Sequence, residues 1–449
     1  MFAGGNDQPM AAHDDTIFAL SSGGLPAGVA VIRISGPGTL DIVRALVGSL
    51  PPERRAQFRT IRDRNGLVLD RGLALVFPGP HSFTGEDCAE LHLHGGKAVA
   101  RAVLSCLAEF PRTRMAEAGE FSRRAFESGK IDLIEVEGLA DLLVAETEMQ
   151  RRLAVEHGIG GQSELYAGWS RRLTHARAMI EAELDFSDEA DVPGSVSEQV
   201  WGDMIALSAD IEDHLARQKA GEIIRDGFKV VIAGAPNAGK SSLLNALANR
   251  EIAIVTEYAG TTRDVLHCDL DIGGYAVKFF DTAGLRDTEE LIELEGIRRA
   301  RLKLSEADLV LHLIDDTVSP AVAFGDNVSA PILTILTKAD MLQDNAPGAF
   351  DLAISSKTGA GLDLLRALVL EMVQQQTGTS LSIPSRERHA RYLNAALYSL
   401  KDAIAHQGRG LDIAAEMLRG AATDLGRITG RVDTEDLLDS IFSEFCIGK

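Results

Sequence analysis

The first 128 residues alternate short apolar runs with turns that are rich in glycine and proline. Residues 29–34 and 72–77 are two such runs, and Ser-Gly-Pro-Gly and Pro-Gly-Pro follow them. Short apolar runs that end in turn residues are typical of β-strands. The pattern predicts an N-terminal α+β domain over residues 1–128.

From Ile131 onward, apolar residues recur every three or four positions, which is the period of a packed helix. One such stripe consists of Leu165, Trp169, Leu173, Ala176, Ile180 and Leu184. The same period returns after Pro384 with Leu393, Leu397, Leu400 and Ile404. A last helix is expected after residues 433–434, with Leu437, Leu438, Ile441, Phe442 and Phe445. We infer that residues 129–221 and 380–449 pack together as one discontinuous helical domain.

The segment between these two parts, residues 222–379, alternates strands with helices. Its strands end in polar residues, at Asp281, Asp315, Thr337 and Ser355. Ligands of open α/β sheets bind at the carboxyl ends of the strands, so we expect these residues to converge on one site. The predicted fold is therefore multidomain α/β and α, with an α/β domain inserted into the helical domain. Residues 186–198 and 376–385 are expected to be loops or hinges.

Residues 234–241, Gly-Ala-Pro-Asn-Ala-Gly-Lys-Ser, form a complete Walker A sequence between an apolar run and a helical one. The backbone N–H groups of such a loop surround phosphate groups, together with the start of the following helix. Lys240 is expected to reach the outer phosphates, and the Ser241 hydroxyl to bind Mg2+. The sequence therefore predicts a nucleoside triphosphate site in a P-loop domain past the middle of the chain.

Later motifs indicate a guanine nucleotide. Residues 281–284 (Asp-Thr-Ala-Gly) supply a carboxylate for the Mg2+ shell and a glycine N–H for the γ-phosphate, and residues 260–264 contain a threonine expected at the metal. The Asp340 carboxylate can accept hydrogen bonds from guanine N1 and N2, a donor pair that adenine lacks. Residues 355–357 are expected to add a backbone contact to the base. The order resembles the translation-factor class of small, Ras-like GTPases, although Thr337 stands where asparagine is commoner.

Leu285 occupies the position where Ras-like proteins orient the attacking water with glutamine. An alkyl side chain cannot hold water, so another group is needed. We hypothesise that Glu293 is this catalytic residue and positions the water. The alternative left open is that residues 289–295 form only a solvated acidic loop.

The chain has 449 residues, a hydrophobic content of 45% and a formal net charge of −21. The negative charge argues against a protein that coats nucleic acid, because such proteins carry basic surfaces.

The four cysteines contain no Cys-x-x-Cys pair, which indicates reduced thiols rather than a zinc ribbon or a disulfide scaffold. Neither a signal peptide nor a membrane-length apolar run is present, so we expect a cytoplasmic protein with no membrane contact.

Further motifs are His-Ser-Phe-Thr-Gly-Glu-Asp at residues 81–87, His-Gly-Gly at 94–96, and Gly-Glu-Phe-Ser-Arg-Arg-Ala-Phe at 119–126. The chain ends in Cys-Ile-Gly-Lys, residues 446–449. Together with the Walker loop and residues 260–264, these motifs resemble the MnmE (TrmE) family of tRNA modification GTPases over nearly the whole chain.

The resemblance implies that residues 1–128 bind folate and form a homodimer, and that the inserted domain at 222–379 is the G domain. The implied cofactor is a tetrahydrofolate derivative, 5-formyl- or methylene-tetrahydrofolate, and its residues correspond to Arg33, Glu90, Lys130 and Lys449. Cations suit the glutamate tail, and a carboxylate suits the pterin N–H groups. Also implied is a heterotetramer or larger complex with the FAD protein MnmG, which adds aminomethyl or carboxymethylaminomethyl groups to carbon 5 of the wobble uridine of certain tRNAs.

The family also hydrolyses GTP with stimulation by K+. The implied K+ ligands are Asn237, Thr256, Tyr258 (through its backbone) and Thr261, and the implied Mg2+ ligands are Ser241 and Thr262. A monovalent cation beside the phosphates neutralises developing charge where an arginine would otherwise lie. The GTP-binding residues carried over are Asn237, Ala238, Gly239, Lys240, Ser241, Ser242, Thr256, Glu257, Tyr258, Ala259, Gly260, Thr261, Thr262, Asp281, Thr282, Ala283, Gly284, Thr337, Lys338, Asp340, Ser355, Ser356 and Lys357.

Three questions stay open at this stage. Cys446 is either a reactive thiol or a structural one, and His92 and His94 lie on one strand without an evident third metal ligand. The leading interpretation is a tRNA modification GTPase. One alternative is a ribosome-assembly GTPase of the Era or Der type, and another is a folate carrier whose G domain regulates assembly.

Overall fold

The computed structural model describes residues 13–185, 196–248, 267–281, 303–315, 329–341, 350–407 and 410–432, together with 438, 441–443, 445, 447 and 448. The chain divides into two compact units. One unit contains residues 1–140 and 426–449, and the other contains residues 141–425. The domain boundaries expected from the sequence, at residues 128, 221 and 379, stay predictions.

The first unit contains a six-stranded sheet with the order β3-β4-β5-β2-β1-β6, antiparallel except for the β1–β6 pair. Its strands are β1 (Thr16–Leu20), β2 (Ala27–Ser35), β3 (Gln57–Arg62), β4 (Val68–Phe77), β5 (Cys88–Gly95) and β6 (Thr113–Met115). Its first three helices are α1 (Thr39–Val47), α2 (Lys97–Ala108) and α3 (Glu120–Glu127). The α+β prediction for this region is confirmed.

Alternation along β5 places Leu91 and Leu93 in the core and leaves Glu90 and His92 half-buried on the other face. Helix α4 (Leu133–Val144) follows the sheet. Its residue Leu133 packs with Phe442 near the end of the chain. The expected last helix is described only in part, with helical geometry at residues 441–443.

The second unit begins with helices α5 (Glu148–Gly158), α6 (Gly161–Asp185), α7 (Val196–Leu215) and α8 (Gln218–Asp226). The predicted stripe on α6 is buried from Trp169 to Ile180, whereas Leu184 in its last turn is exposed. Residues 196–198 belong to α7, so the prediction of a loop is wrong there. The sequence Ser195–Glu198 matches the capping-box pattern, which favours a helix start at this position.

A second six-stranded sheet has the order β12-β11-β10-β7-β9-β8, parallel apart from β8. Its strands are β7 (Phe228–Gly234), β8 (His267–Ile272), β9 (Tyr275–Asp281), β10 (Leu309–Ile314), β11 (Ile332–Leu336) and β12 (Leu352–Ala353). Helices α9 (Lys240–Ala248) and α10 (Leu362–Thr377) belong to the same α/β region. This arrangement confirms the predicted P-loop type of fold.

Two helices, α11 (Glu387–Ala405) and α12 (Leu411–Thr429), follow the second sheet. Helix α7 packs against both α6 and α11, so helices from before and after the sheet lie against each other. The buried face of α11 includes Leu393 and Leu400, while Leu397 and Ile404 are half-buried. Among the helices of the described ranges, we find none with the length and hydropathy needed to cross a membrane.

A buried histidine lies between α6 and α7. His214 is in edge-on contact with the rings of Tyr166 and Trp169, at centroid distances of 5.5 and 5.3 Å. The Tyr166 hydroxyl lies 3.0 Å from Nε2 of His214. Burial lowers the pKa of His214 from 6.5 to about 4, and the nearby Arg217 and His389 add to the effect. The helices therefore pack around a neutral imidazole.

This neutral histidine predicts acid sensitivity. Because its pKa is depressed by folding, the unfolded chain takes up the proton first as pH falls from 6.5 towards 4. At pH 5 this costs about 2 kcal/mol of the free energy of unfolding. Urea unfolding at pH 7 and pH 5, followed by tryptophan fluorescence, measures the cost. We expect His214→Gln to remove most of the pH dependence, whereas the same change at exposed His175 of α6 leaves it intact; equal pH dependence in both variants would contradict the assignment.

Candidate functional site

The loop between β7 and α9 is shaped by backbone conformations that few side chains tolerate. Gly234 has φ 156°, and a Cβ there would lie 2.5 Å from the carbonyl oxygen of Leu313. Asn237 and Gly239 lie in the left-handed region, with φ 66° and 93°. The chain therefore turns sharply into α9, whose first-turn N–H groups have no partners within the helix.

Lys240, the first residue of α9, folds back over the loop. Its Nζ donates hydrogen bonds to the carbonyl oxygens of Gly234 and Ala235, each at 2.9 Å, and the side chain is buried. A helix N-terminus and a fixed ammonium both favour a bound anion. The loop thus has the features of a phosphate site.

Ser241 faces the end of the neighbouring strand. Its Oγ donates a hydrogen bond of 3.0 Å to Oδ2 of Asp281, which is the last residue of β9 and is buried. Because β9 pairs in parallel with β7, the two carboxyl ends lie side by side. A hydroxyl and a carboxylate form the oxygen ligand set that Mg2+ prefers.

The ends of β11 and β12 form the other side of this site. The Thr337 hydroxyl bonds to the carbonyl oxygens of Ala238, at 2.9 Å, and Ile314, at 3.1 Å, and so joins the end of β11 to the loop. Lys338, in the left-handed region at φ 56°, forms an ion pair with Asp315. The sequence indicated neither the loop contact of Thr337 nor the Lys338–Asp315 pair; the only signal was a polar residue at each strand end.

Asp340 is held by a side chain from the next strand end. The Ser355 hydroxyl donates a hydrogen bond of 2.6 Å to Oδ1 of Asp340. This bond lowers the pKa of the Asp340 carboxyl, so the group is ionised at neutral pH. The sequence predicted only a backbone role for residues 355–357; the structure adds this side-chain role. An ionised carboxylate at this position can accept two hydrogen bonds from one base edge.

The described members of the predicted GTP set therefore come from one edge of the second sheet: residues 237–242, Asp281, Thr337, Lys338, Asp340 and residues 355–357. The other predicted GTP-binding residues, the proposed catalytic Glu293, Cys446 and the folate residue Lys449 lie outside the described residues. The GTP-binding residues among them are Thr256, Glu257, Tyr258, Ala259, Gly260, Thr261, Thr262, Thr282, Ala283 and Gly284.

A separate cavity of about 330 Å³ lies in the first unit. It is lined by Arg33, Arg54, Phe77, His81, Ser82, Phe83, Cys88 and Glu90. Arg33 and Glu90 are opposite each other on β2 and β5, and Nη2 of Arg33 lies 3.0 Å from Oε1 of Glu90. The Arg33 guanidinium also lies 5.7 Å from the Phe83 ring centroid. The cavity thus combines an ion pair with aromatic walls.

The Glu90 carboxylate is ionised despite its burial. Burial raises its pKa, but hydrogen bonds from His92 and Arg33 and the charge of Arg33 outweigh that effect and bring the pKa below its usual value. Nε2 of His92 lies 3.1 Å from Glu90, and Nδ1 of His94 lies 2.8 Å from Asp70. Within the described ranges, no three His, Cys, Asp or Glu residues are grouped as metal ligands. Both histidines are hydrogen-bonded to carboxylates.

Lys130 lies beyond the lining of this cavity. The residue is exposed, and its side chain is close to Gly85, where an added Cβ would lie 3.1 Å from Cε of Lys130. Gly85 belongs to the same loop as His81 and Phe83, so Lys130 is near the cavity wall. Its folate role stays a prediction.

The loop that forms this wall is held by a buried arginine that sequence reasoning missed. Arg124 on α3 is 1% exposed and binds Glu86 at 3.1 Å, Asp15 at 2.7 Å and Glu120 at 3.1 Å. Glu86 also accepts a 2.7 Å hydrogen bond from Ser35. Three carboxylates compensate one buried charge, as burial requires. Glu120 and Arg124 lie one helical turn apart within residues 119–126, but no local pattern connects Arg124 with Asp15 or Glu86.

Comparison with known families covers both units. The family model described as "GTP-binding protein TrmE N-terminus" matches residues 16–130. The model described as "MnmE helical domain" matches residues 133–446. The two matches together account for nearly the whole chain.

Comparison with individual proteins supports the same family assignment. The chain is 60% identical to tRNA modification GTPase MnmE of Rhizobium etli and 59% identical to that of Rhizobium johnstonii, in each case over 98% of this chain and 100% of the relative. A solved structure of the G domain of the T. maritima FeoB iron transporter is 25% identical, with a TM-score of 0.25, and covers 33% of this chain and 99% of that one. At that score the structural likeness adds nothing to the assignment. On the full-length identities and the two family models, this chain belongs to the MnmE family of tRNA modification GTPases.

Proposed function

We propose that this protein hydrolyses GTP and uses the nucleotide cycle in the modification of tRNA wobble uridine. The observation that carries the proposal is the convergence of Lys240, the Ser241–Asp281 pair and the Asp340–Ser355 pair at one sheet edge. Family membership supports the same activity. The Era or Der alternative does not account for the matches of this chain to the TrmE N-terminal and MnmE helical models.

Each part of the nucleotide site has its own role. Lys240 binds the outer phosphates, the loop N–H groups surround them, and Asp340 accepts hydrogen bonds from guanine N1 and N2. Ser241, with Thr262, holds Mg2+, which when bound neutralises charge on the phosphate oxygens. Support comes from the oxygen pair that Ser241 forms with Asp281.

We extend the proposal to K+ and to the water. Asn237, Thr256, Tyr258 and Thr261 are the proposed K+ ligands, and the left-handed backbone of Asn237 supports a role for that residue in the bend of the loop. Glu293 is proposed to position the attacking water. Equal GTP turnover in Na+ and K+ would contradict the first assignment, and equal turnover in Glu293→Ala and the unmodified protein would contradict the second.

A variant of Asp340 tests guanine recognition. Asp340→Asn replaces one acceptor with a donor, so it should weaken GTP binding and favour xanthosine triphosphate, whose O2 can accept the new N–H. The loss of charge-assisted hydrogen bonds to the base should lower GTP affinity by roughly 30- to 1,000-fold. Calorimetric titration with GTP and with xanthosine triphosphate measures the change in nucleotide preference. Asp412→Asn on α12 is the control, and an Asp340→Asn protein that kept its GTP affinity would rule out this base contact.

In the N-terminal unit, we propose that the cavity binds the pterin end of a tetrahydrofolate derivative. The volume of about 330 Å³ is at the low end for ligand sites, so the tail would extend beyond it. Glu90 would accept pterin N–H bonds, and Arg33 would bind an oxygen of the ligand. Lys130 and Lys449 would pair with the glutamate tail. When bound, the folate would supply the one-carbon unit.

Replacement of Glu90 by glutamine tests this site. Glu90→Gln keeps the shape but removes the ionised acceptor, so we expect roughly a 10- to 100-fold weaker affinity for 5-formyl-tetrahydrofolate. Because the pKa of Glu90 is below its usual value, binding to the unmodified protein should be constant between pH 5.5 and 7.5 as far as this group is concerned. Calorimetric titration measures the affinity of the variant and the pH dependence of binding to the unmodified protein. Glu109→Gln, at an exposed residue, is the control. Unchanged affinity in Glu90→Gln would remove Glu90 from the folate site.

The proposed assembly is a cytoplasmic homodimer that acts with MnmG, as a heterotetramer or a larger complex, on tRNA. The transferred group would be aminomethyl or carboxymethylaminomethyl at carbon 5 of the wobble uridine. Cys446 is a candidate thiol for that step and has no proposed part in GTP hydrolysis.

The decisive experiment is mass spectrometry of tRNA nucleosides from a strain that lacks the gene. Deletion should remove the wobble modification, and the unmodified protein should restore it. Lys240→Ala should fail to restore it, because the phosphate site is lost. A deletion strain with normal wobble uridines would overturn the proposed function.

A further inference from the structure

The second sheet joins the helices of its unit through two stretches of chain. The incoming stretch is residues 225–227, the last two residues of α8 and the glycine before β7, and the outgoing stretch is residues 378–386, between α10 and α11. Both stretches lie within residues 141–425. The outgoing stretch includes most of the segment expected from the sequence to be a loop or hinge.

The outgoing stretch has no regular secondary structure between residues 378 and 385, but its end, residues 383–385, is buried. Ile383 and Ser385 are buried, and the carbonyl oxygen of Ile383 lies 3.3 Å from Nε2 of His157 on α5. A Cβ at Gly221 of α8 would lie 2.2 Å from the carbonyl oxygen of Pro384. The backbone of the outgoing stretch therefore touches that of α8, with no room for a side chain between them.

The incoming stretch is held by the same group of helices. Nε2 of Gln150, on α5, donates a 3.0 Å hydrogen bond to the carbonyl oxygen of Arg225. The Arg225 side chain points to the end of α4, where its Nε lies 3.3 Å from Oδ1 of Asp141.

The two stretches meet at this carboxylate. Nη2 of Arg386, at the start of α11, donates a 2.7 Å hydrogen bond to the same Oδ1 of Asp141. The side chains of Asp141, Arg225 and Arg386 are 16%, 28% and 14% exposed. Two guanidinium groups therefore share one oxygen in a largely desolvated place, where like charges repel strongly without the carboxylate.

Arg225 lies in the last turn of α8, and Gly227 and strand β7 lead from there to the phosphate loop. Arg386 immediately precedes α11, the helix that packs on α7. A displacement of the sheet relative to the helices changes the position of one arginine relative to the other, and Asp141 resists that change. We propose that Asp141 is a positioning residue that couples the nucleotide state of the loop to the helices. The inference rests on the proposed GTP binding.

Asp141→Asn in the full-length protein tests the coupling, because it keeps the shape and removes the charge. The readout is amide hydrogen exchange of α11, measured by mass spectrometry with and without GppNHp. In the unmodified protein we expect the nucleotide to change α11 protection by about fivefold or more, and in Asp141→Asn by less than about twofold. GppNHp affinity should stay within about twofold of the unmodified protein.

Asp203→Asn is the matched control. Asp203 also binds an arginine, Arg172, but this pair joins α6 to α7 rather than the two stretches. We expect this variant to retain the full response of α11. Asp141→Glu, which keeps the charge, should retain most of the response, a result that a purely steric role would not give.

The results separate the hypotheses. A full α11 response in Asp141→Asn, with nucleotide bound, overturns the coupling role and leaves the proposed function intact. An unmodified protein that does not bind GppNHp overturns the proposed function, and the coupling role with it. If Asp141→Asn does not fold, Arg386→Gln breaks only the outgoing link, and a full response in that variant likewise overturns the proposal.

Discussion

No side chain fits at Gly234, because the backbone of β10 lies against the position that its Cβ would occupy. This contact fixes where β7 ends and the phosphate loop begins. The residues that follow depend on it: Lys240 returns to the carbonyl oxygen of Gly234, and Thr337 reaches the loop at Ala238. The sheet order then brings Asp281 and Ser355 to the same edge from opposite sides. A single close backbone approach thus organises the part of the nucleotide site that the structure describes.

The N-terminal unit is organised by charge instead. Arg124 binds carboxylates from three parts of the chain. One of them, Glu86, belongs to the loop beside the cavity, so its ion pair with Arg124 holds that loop in place. Arg33 and Glu90 are neighbours across two strands and need no such long-range support. A buried ion that loses one partner destabilises its surroundings, so the loop and the cavity depend on the same network. The two units therefore position their polar groups by different means.

The sequence predicted what is encoded locally. The Walker loop is contiguous, with glycines where the backbone requires them, and the α6 stripe from Trp169 to Ile180 follows the helical period. Contacts between residues that are far apart in the sequence could not be predicted from local patterns. The outgoing stretch reads as a polar, glycine- and proline-containing loop, yet Ile383 and Ser385 are buried because α5 and α8 cover them. Asp15 and Glu86, which bind Arg124, and the two arginines that bind Asp141 are separated from them by many residues, and no local pattern connects them.

The shared oxygen of Asp141 has an architectural consequence. Because Arg225 and Arg386 both bind it, the two ends of the segment between them lie close together in space. A stretch of chain with adjacent ends can be spliced into a surface, or excised and bridged by a few residues, without displacing the host. Residues 226–385 therefore have the end geometry of an inserted domain, whose removal would leave two chain ends that a short linker bridges.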